Sequence, residues 1–208
     1  MIQTDMTGNY GPDIDELGND LCQALHEHEQ SAAEHSRRVA RLARLLGEKL
    51  GLPEERTWRL ELACLLHDIG KLFVSADTLT KPGALNNEEW EEIKNHPEHG
   101  YSLLRDKQEL FDIAETVYSH HERYDGAGYP RGLAGNEICL EARICAVVDA
   151  YDAMTSERSY KPPLSHEEAI QELIRCSYTQ FDPGIVAAFI SIPEVTIRSE
   201  MGTEAVLA

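Results

Sequence analysis

Between His35 and Leu50 the apolar residues Val39, Leu42, Leu46 and Leu50 fall three or four positions apart with His35 on the same stripe, while Arg37, Arg38, Arg41 and Glu48 lie off it. That spacing predicts a helix with one buried face. Gly51 ends it, and Pro53 opens the next helix with Glu54 and Glu55 behind it. A proline at a helix start lacks only an N–H that has no helical partner, and acids there meet the positive helix end. The second helix runs through Leu62, Leu65 and Leu66 to His67, where Ile69-Gly70 breaks it. Lys81-Pro82-Gly83 marks a loop, and Asn86 with Glu89 supplies a capping-box start to a third helix, which Pro97 kinks or divides. A fourth helix from about Phe111 ends near His121, because ERYDGAGYPRGLAGNE packs four glycines and a proline into sixteen residues. A loop of that length in a compact domain is either functional or disordered, and its two tyrosines and two arginines favour function. Helical spacing resumes from Ile138 to Met154 and again after Ser165, which forms a second capping box with Glu168. Alternating runs are nearly absent and no internal repeat occurs. The pattern predicts an all-α domain of six to eight helices over residues 25–193, between a polar N-terminal segment (1–24) and a C-terminal tail (194–208).

Composition narrows the class. With 208 residues, 42% hydrophobic and 27% charged, the chain has the make-up of one globular domain. The opening MIQTDMTGNYGPDIDELGND has no basic and apolar regions of a signal peptide, and no stretch reaches membrane-spanning length, so a cytoplasmic protein is expected. Residues ahead of the helices are too few for a sensor or receiver domain. The five cysteines, at 22, 64, 139, 145 and 176, form no CxxC pair, which argues against a disulfide framework or zinc ribbon and for small buried residues. A net charge of −18 with no basic stripe excludes a nucleic-acid polymer as the expected partner. An anionic substrate would then need metal ions and a few placed cations.

The residue types that supply metal lone pairs sit at predicted helix ends. His67-Asp68 closes an apolar helix, with Gly70 letting the backbone turn away and Lys71 adding a cation; His120-His121-Glu122 repeats the arrangement. Asp149 lies in ARICAVVDAYDAM, where an uncompensated buried carboxylate is costly. Each has a plainer alternative. His35 reads equally as a satisfied core histidine and His96 as a surface or capping residue, while His26, His28, His99 and His166 read as exposed.

Together, the ordered series His35, His67-Asp68, His96, His120-His121, Asp149, with HHERYDGAGYP in full, resembles the HD-GYP family of HD-domain phosphohydrolases. The likeness covers about His35 to Pro183. It includes Asp68-Ile69-Gly70-Lys71, Lys81-Pro82-Gly83, His96-Pro97 with Gly100, Tyr151-Asp152-Ala153, Arg158-Ser159-Tyr160-Lys161 and Phe181-Asp182-Pro183. The resemblance implies a phosphodiesterase that linearises cyclic di-GMP to pGpG and in some members onward to GMP. One metal would be held by His35, His67, Asp68 and Asp149, and a second by the bridging Asp68 with His96, His120 and His121. The family points to iron or manganese. A glutamate that holds a third metal in some members is replaced by Ser31, and Glu27 and Glu34 are out of phase for that role.

Two divalent ions sharing a water lower its pKa and polarise the phosphoryl oxygens it attacks. Asp68 and Lys71 are the expected catalytic residues, Lys71 holding a phosphate oxygen or protonating the leaving 3′-oxygen; a structural salt bridge is its alternative. Arg158 and Lys161 are expected on the second phosphate or a guanine edge, and Tyr129 to shape the pocket or stack on a base. Gly126 and Gly128 are expected at positive φ, Pro130 to stiffen the loop, and Asp125 to brace it. Competing readings are hydrolysis of 3′,3′-cyclic GMP-AMP or another nucleotide phosphoester, and an inactive scaffold. The family also suggests a signalling partner, such as a diguanylate cyclase, at the GYP loop.

Overall fold

The computed structural model describes residues 20–157 and 162–202, except positions 22, 26 and 29 and the side chains of 30 and 31. The expectations for Arg158, Lys161, Ser31, His26 and Cys22 therefore lie outside the described residues and side chains.

The all-helical class holds. Ten α-helices are delimited among the described residues: α1 (Gln30–Lys49), α2 (Glu54–Leu66), α3 (Ala76–Leu79), α4 (Asn87–Lys94), α5 (His96–Leu104), α6 (Phe111–Ser119), α7 (Leu140–Thr155), α8 (His166–Arg175), α9 (Pro183–Ile190) and α10 (Glu194–Glu200). The division is finer than six to eight for three reasons. Ala76–Leu79 is a single capped turn, Asn95 and Pro97 split the third predicted helix into α4 and α5, and Glu194–Glu200 is helical. Both capping boxes form, Asn86 with Glu89 and Ser165 with Glu168.

The stripe on α1 is buried as its spacing requires, with Val39, Leu42 and Leu46 at 0% exposure. These side chains enter one core with α7, α8 and α9, while Leu62, Leu66, Ile113 and Val117 of α2 and α6 form a second. The metal-type residues lie where α1, α2, α5, α6 and α7 come together. Residues expected as a C-terminal tail extend the first core: Ile197 of α10 is fully buried, and Arg41 donates from Nε to the Glu200 carbonyl at 2.5 Å. Arg41 and Arg38 are thus not solvated flank residues. Long guanidinium side chains beside a stripe reach across it to acceptors on other helices.

Cys64 and Cys145 are buried, and Cys139 and Cys176 are half-buried. His99 stacks on Phe73 with ring centroids 5.1 Å apart, and His166 Nδ1 lies 2.8 Å from the Tyr151 hydroxyl, so neither is the free surface residue expected. Among the described residues no helix is long and apolar enough to cross a membrane.

Candidate metal centre

Three ligand-type histidines follow one local rule. His67 and His120 cap the C-terminal ends of α2 and α6, and His96 follows α4; each turns its Nδ1 onto the carbonyl three residues earlier. The distances are 2.7 Å to Cys64, 2.7 Å to Val117 and 2.6 Å to Ile93. A carbonyl only accepts, so Nδ1 carries the proton and Nε2 is left as a bare lone pair aimed inward. The Nε2 atoms of His96 and His120 then face each other at 3.2 Å, and His96 Nε2 faces Asp68 Oδ1 at 3.2 Å. His67 Nε2 lies 3.4 Å from Asp68 Oδ2. Lone pairs opposed across such distances repel, and a cation between them turns each into a ligand.

Asp68 joins two groups. With His96, His120 and His121 it forms one set and with His35 and His67 another, the ligand atoms of each set lying within 4.8 Å of one another. Asp149 belongs with the second, 3.0 Å from His35 Nε2 and 4.0 Å from His67 Nε2. The structure thus brings together all seven residues expected as metal ligands. His121 packs between His120 and Tyr129, with centroids 4.0 and 4.9 Å away.

Burial pushes His67 and His120 below the ordinary histidine range and His121 down to about 3, so these rings are neutral and ready to ligate. Asp68 and Asp149 are held well below the carboxylate range. Burial opposes their charge, but Lys71 and the neighbouring histidines outweigh it at Asp68, and His35 does so at Asp149. His35 behaves differently. Burial lowers it, yet hydrogen bonds to Asp149 and Asp152 prevail and raise it to about 9.

Asp152 is a site residue that sequence reasoning quoted only as part of a motif. It is fully buried and accepts from His35 Nδ1 at 2.7 Å, from Arg38 Nε at 2.6 Å and from Arg38 Nη2 at 3.0 Å. The carboxylate holds the His35 ring from behind and turns Nε2 toward Asp149. A signal existed: Asp152 follows Asp149 by three residues on a largely apolar helix, and Arg38 follows His35 by three.

Lys71 Nζ is 2.6 Å from Asp68 Oδ2. The salt bridge weighed as its alternative role is present, and its partner is the shared carboxylate. Gly70 does not turn the chain away, since residues Ile69–Phe73 continue as a 3₁₀ helix. It is needed because a Cβ there would meet the His96 carbonyl oxygen at 1.9 Å, so only glycine lets α5 press against the Asp68 turn.

Glu122 does not repeat the role of Asp68. Buried at 3% exposure, it accepts from the backbone N–H groups of Arg131 at 2.7 Å and Leu133 at 3.1 Å, which fixes the GYP loop to the end of α6. Asp125 braces the loop tip as expected, accepting from Ala127 N and Arg123. Gly126 has φ +79°, whereas Gly128 does not sit at positive φ; its requirement is steric, because a Cβ would lie 2.3 Å from Arg123 N. Tyr129 N donates to the His121 carbonyl at 3.2 Å, tying the loop to a ligand-type residue, and the Tyr129-Pro130 peptide is cis. A cleft of about 360 Å³ opens beside His120, His121 and Asp149 and runs along α7 toward Glu172 and Phe181.

Helices that converge on a histidine–aspartate cluster, with one aspartate common to two ligand sets, define an HD-type metal-binding domain. The HD domain family model matches residues 21–185. The chain is 40% identical over 172 residues to the cyclic di-GMP phosphodiesterase response regulator RpfG of Xanthomonas campestris, an alignment spanning 82% of this chain and 46% of that protein. It is 36% identical over 173 residues to the 3′3′-cGAMP-specific phosphodiesterase 2 of Vibrio cholerae, spanning 82% of this chain and 33% of that protein. The fold is similar to that of a cyclic GMP-AMP specific phosphodiesterase of V. cholerae, with a TM-score of 0.64 at 22% identity over 91% of this chain and 53% of the other. The chain belongs to the HD domain family, in its HD-GYP form. It spans about half or less of the length of these curated relatives.

The residues present fit a divalent metal pair: imidazole and carboxylate donors without thiolate, bare Nε2 atoms, and a carboxylate placed to bridge.

Proposed function

We propose that this chain is a metal-dependent cyclic dinucleotide phosphodiesterase that hydrolyses cyclic di-GMP to pGpG and onward to GMP. The observation that carries this is the opposed Nε2 lone pairs of His96 and His120 beside Asp68, which repel each other unless cations lie between them. Two divalent ions, iron or manganese, would be held by His35, His67, Asp68 and Asp149 and by Asp68, His96, His120 and His121. When bound, such a pair acidifies water and polarises a phosphoryl oxygen. Asp68 keeps the two ligand sets in one register. Lys71, already on Asp68, holds a phosphate oxygen or delivers a proton to the leaving 3′-oxygen. Tyr129 walls the His121 side of the pocket. Arg158 and Lys161 belong to the proposal on their spacing alone.

The relatives' printed activities on cyclic di-GMP and on 3′3′-cGAMP make the mixed dinucleotide the second reading. The complete ligand set counts against an inactive scaffold, because assembling buried, opposed lone pairs with no ion to satisfy them is costly. A signalling partner at the GYP loop belongs to the same proposal, Asp125, Ala127 and Pro130 being exposed there. The cytoplasm is the proposed compartment, as the place of such second messengers.

The test is anaerobic purification with elemental analysis, then incubation with each dinucleotide under Fe²⁺ or Mn²⁺ and chromatography of the products. About two metals per chain with pGpG or GMP formed is the expected result. Metal loading without cleavage of either dinucleotide would refute the assignment of substrate, and no metal uptake would refute the centre itself.

A further inference from the structure

The cleft of about 360 Å³ beside the metal centre has a use that the ligand set does not explain. Its volume lies at the low end of the roughly 300–1,000 Å³ of small-molecule sites. It therefore takes one nucleoside rather than a whole cyclic dinucleotide. Ala146, Ala150 and Ala153 of α7 share the face of Asp149, so methyl groups recess the wall next to the metal-type residues, while Met154 and Phe181 add apolar surface. A flat apolar slot that begins at Asp149 suits a base whose phosphate sits on Asp68 and Lys71.

Away from the metal ligands, the charged residues of the cleft are Glu122, Arg123 and Glu172. Glu122 is committed to the loop backbone, and Arg123 to Asp125. Glu172 pairs with Arg175, whose side chain is 71% exposed. An exposed pair one turn apart contributes little to stability, so a base edge can displace it at small cost. A carboxylate only accepts hydrogen bonds. Guanine presents N1–H and N2–H₂ side by side to such an acceptor, whereas adenine presents the N1 lone pair, which a carboxylate repels.

We propose that this cleft is a guanine subsite in which Glu172 accepts from the N1–H and N2–H₂ edge. The inference rests on the phosphodiesterase reading and adds to it that at least one base of the substrate must be guanine. Cyclic di-GMP and 3′,3′-cyclic GMP-AMP both qualify, and cyclic di-AMP does not.

The test compares wild type with Glu172→Gln, both loaded with Mn²⁺. Calorimetry gives the affinities for GMP and AMP, and steady-state kinetics gives kcat and KM for the three cyclic dinucleotides. The glutamine offers a donor beside an acceptor and so matches adenine. The GMP-to-AMP affinity ratio is expected to fall tenfold or more, with the dinucleotide change falling on KM and the metal content equal in both proteins. An Ala153→Leu variant, which fills the slot, is expected to weaken GMP binding by a similar factor. A ratio that stays within twofold in Glu172→Gln, or GMP binding untouched by Ala153→Leu, would overturn the subsite. If wild type cleaves no dinucleotide, the phosphodiesterase reading fails, and the GMP-to-AMP ratio still decides the subsite.

Discussion

Replacing Asp152 with alanine tests whether the centre depends on its support as well as on its ligands. The carboxylate is fully buried and takes three hydrogen bonds, two from Arg38 and one from His35. Breaking a fully buried ion pair by removing one partner costs about 3–5 kcal/mol, most of it the stranded charge left behind. Arg38 keeps 22% side-chain exposure and can turn partly to water, which lowers the expected loss to about 2–3 kcal/mol. At about 2–4 °C per kcal/mol for a domain of this size, the melting temperature of the metal-free protein should fall by roughly 5–10 °C. Metal binding should suffer separately. His35 Nδ1 loses the acceptor that fixes its ring, and loss of such a support lowers metal affinity about 10–100-fold. Only the set containing His35 is affected directly, so a Mn²⁺ titration should resolve one weakened and one retained site. Asp152→Asn, which keeps the shape and one acceptor oxygen, should fall between. A melting temperature that drops while both sites titrate as in wild type would show that Asp152 merely holds α7 to α1, and would refute the positioning argument.

Asp68→Ala removes the residue common to both ligand sets and should abolish metal loading and turnover together; appreciable activity in that variant, checked alongside elemental analysis, would sink the mechanism. Gly128→Ala drives a Cβ to within 2.3 Å of Arg123 N and should cost about 1–3 kcal/mol by forcing the loop off Glu122, seen as faster proteolysis of residues 123–133 with metal content retained. In the metal-free protein His35 is raised from 6.5 to about 9, so its contribution to stability is full below pH 6.5, declines as pH rises, and is gone above about 9. Melting curves of the chelated protein across that range should show this decline, and His35→Gln should flatten it; an unchanged slope in the variant would assign the decline to other groups.

The helices were legible because their signals are local. The α1 stripe, the two capping boxes and the glycine-rich loop each depend on residues three or four apart, and each appears where its spacing put it. The ligand-type residues were legible by order of motif rather than by geometry. The supports were not. Arg38 and Arg41 looked solvated because a one-helix view cannot show that Asp152 and the Glu200 carbonyl approach from α7 and the end of α10. Glu122 looked like a second Asp68, and what separates them is the tertiary environment. Loop N–H groups fold back on Glu122, while histidine lone pairs and Lys71 converge on Asp68. Glycines carry the same lesson: Gly70 and Gly128 are demanded by backbone packed against them, which no local rule for turns encodes.

Charge around the centre explains how so acidic a chain can take an anionic substrate. Overall the protein carries −18, and at the site protonated His35, Arg38 and Lys71 balance Asp68, Asp149 and Asp152. The metal-free centre is therefore close to neutral and offers a phosphodiester no attraction beyond Lys71. Two divalent ions would displace the His35 proton, because Nε2 cannot both donate to Asp149 and ligate, and the same cluster would become strongly positive. Substrate affinity is thereby conditional on metal loading, and each ion bound to the His35 set should release about one proton near neutral pH. The acidic exterior then suits the task. It repels nucleic-acid polymers at long range, where exposed charges act together, and leaves a small phosphodiester that has reached the cleft to be held by ions and Lys71 at close range, where salt screens least.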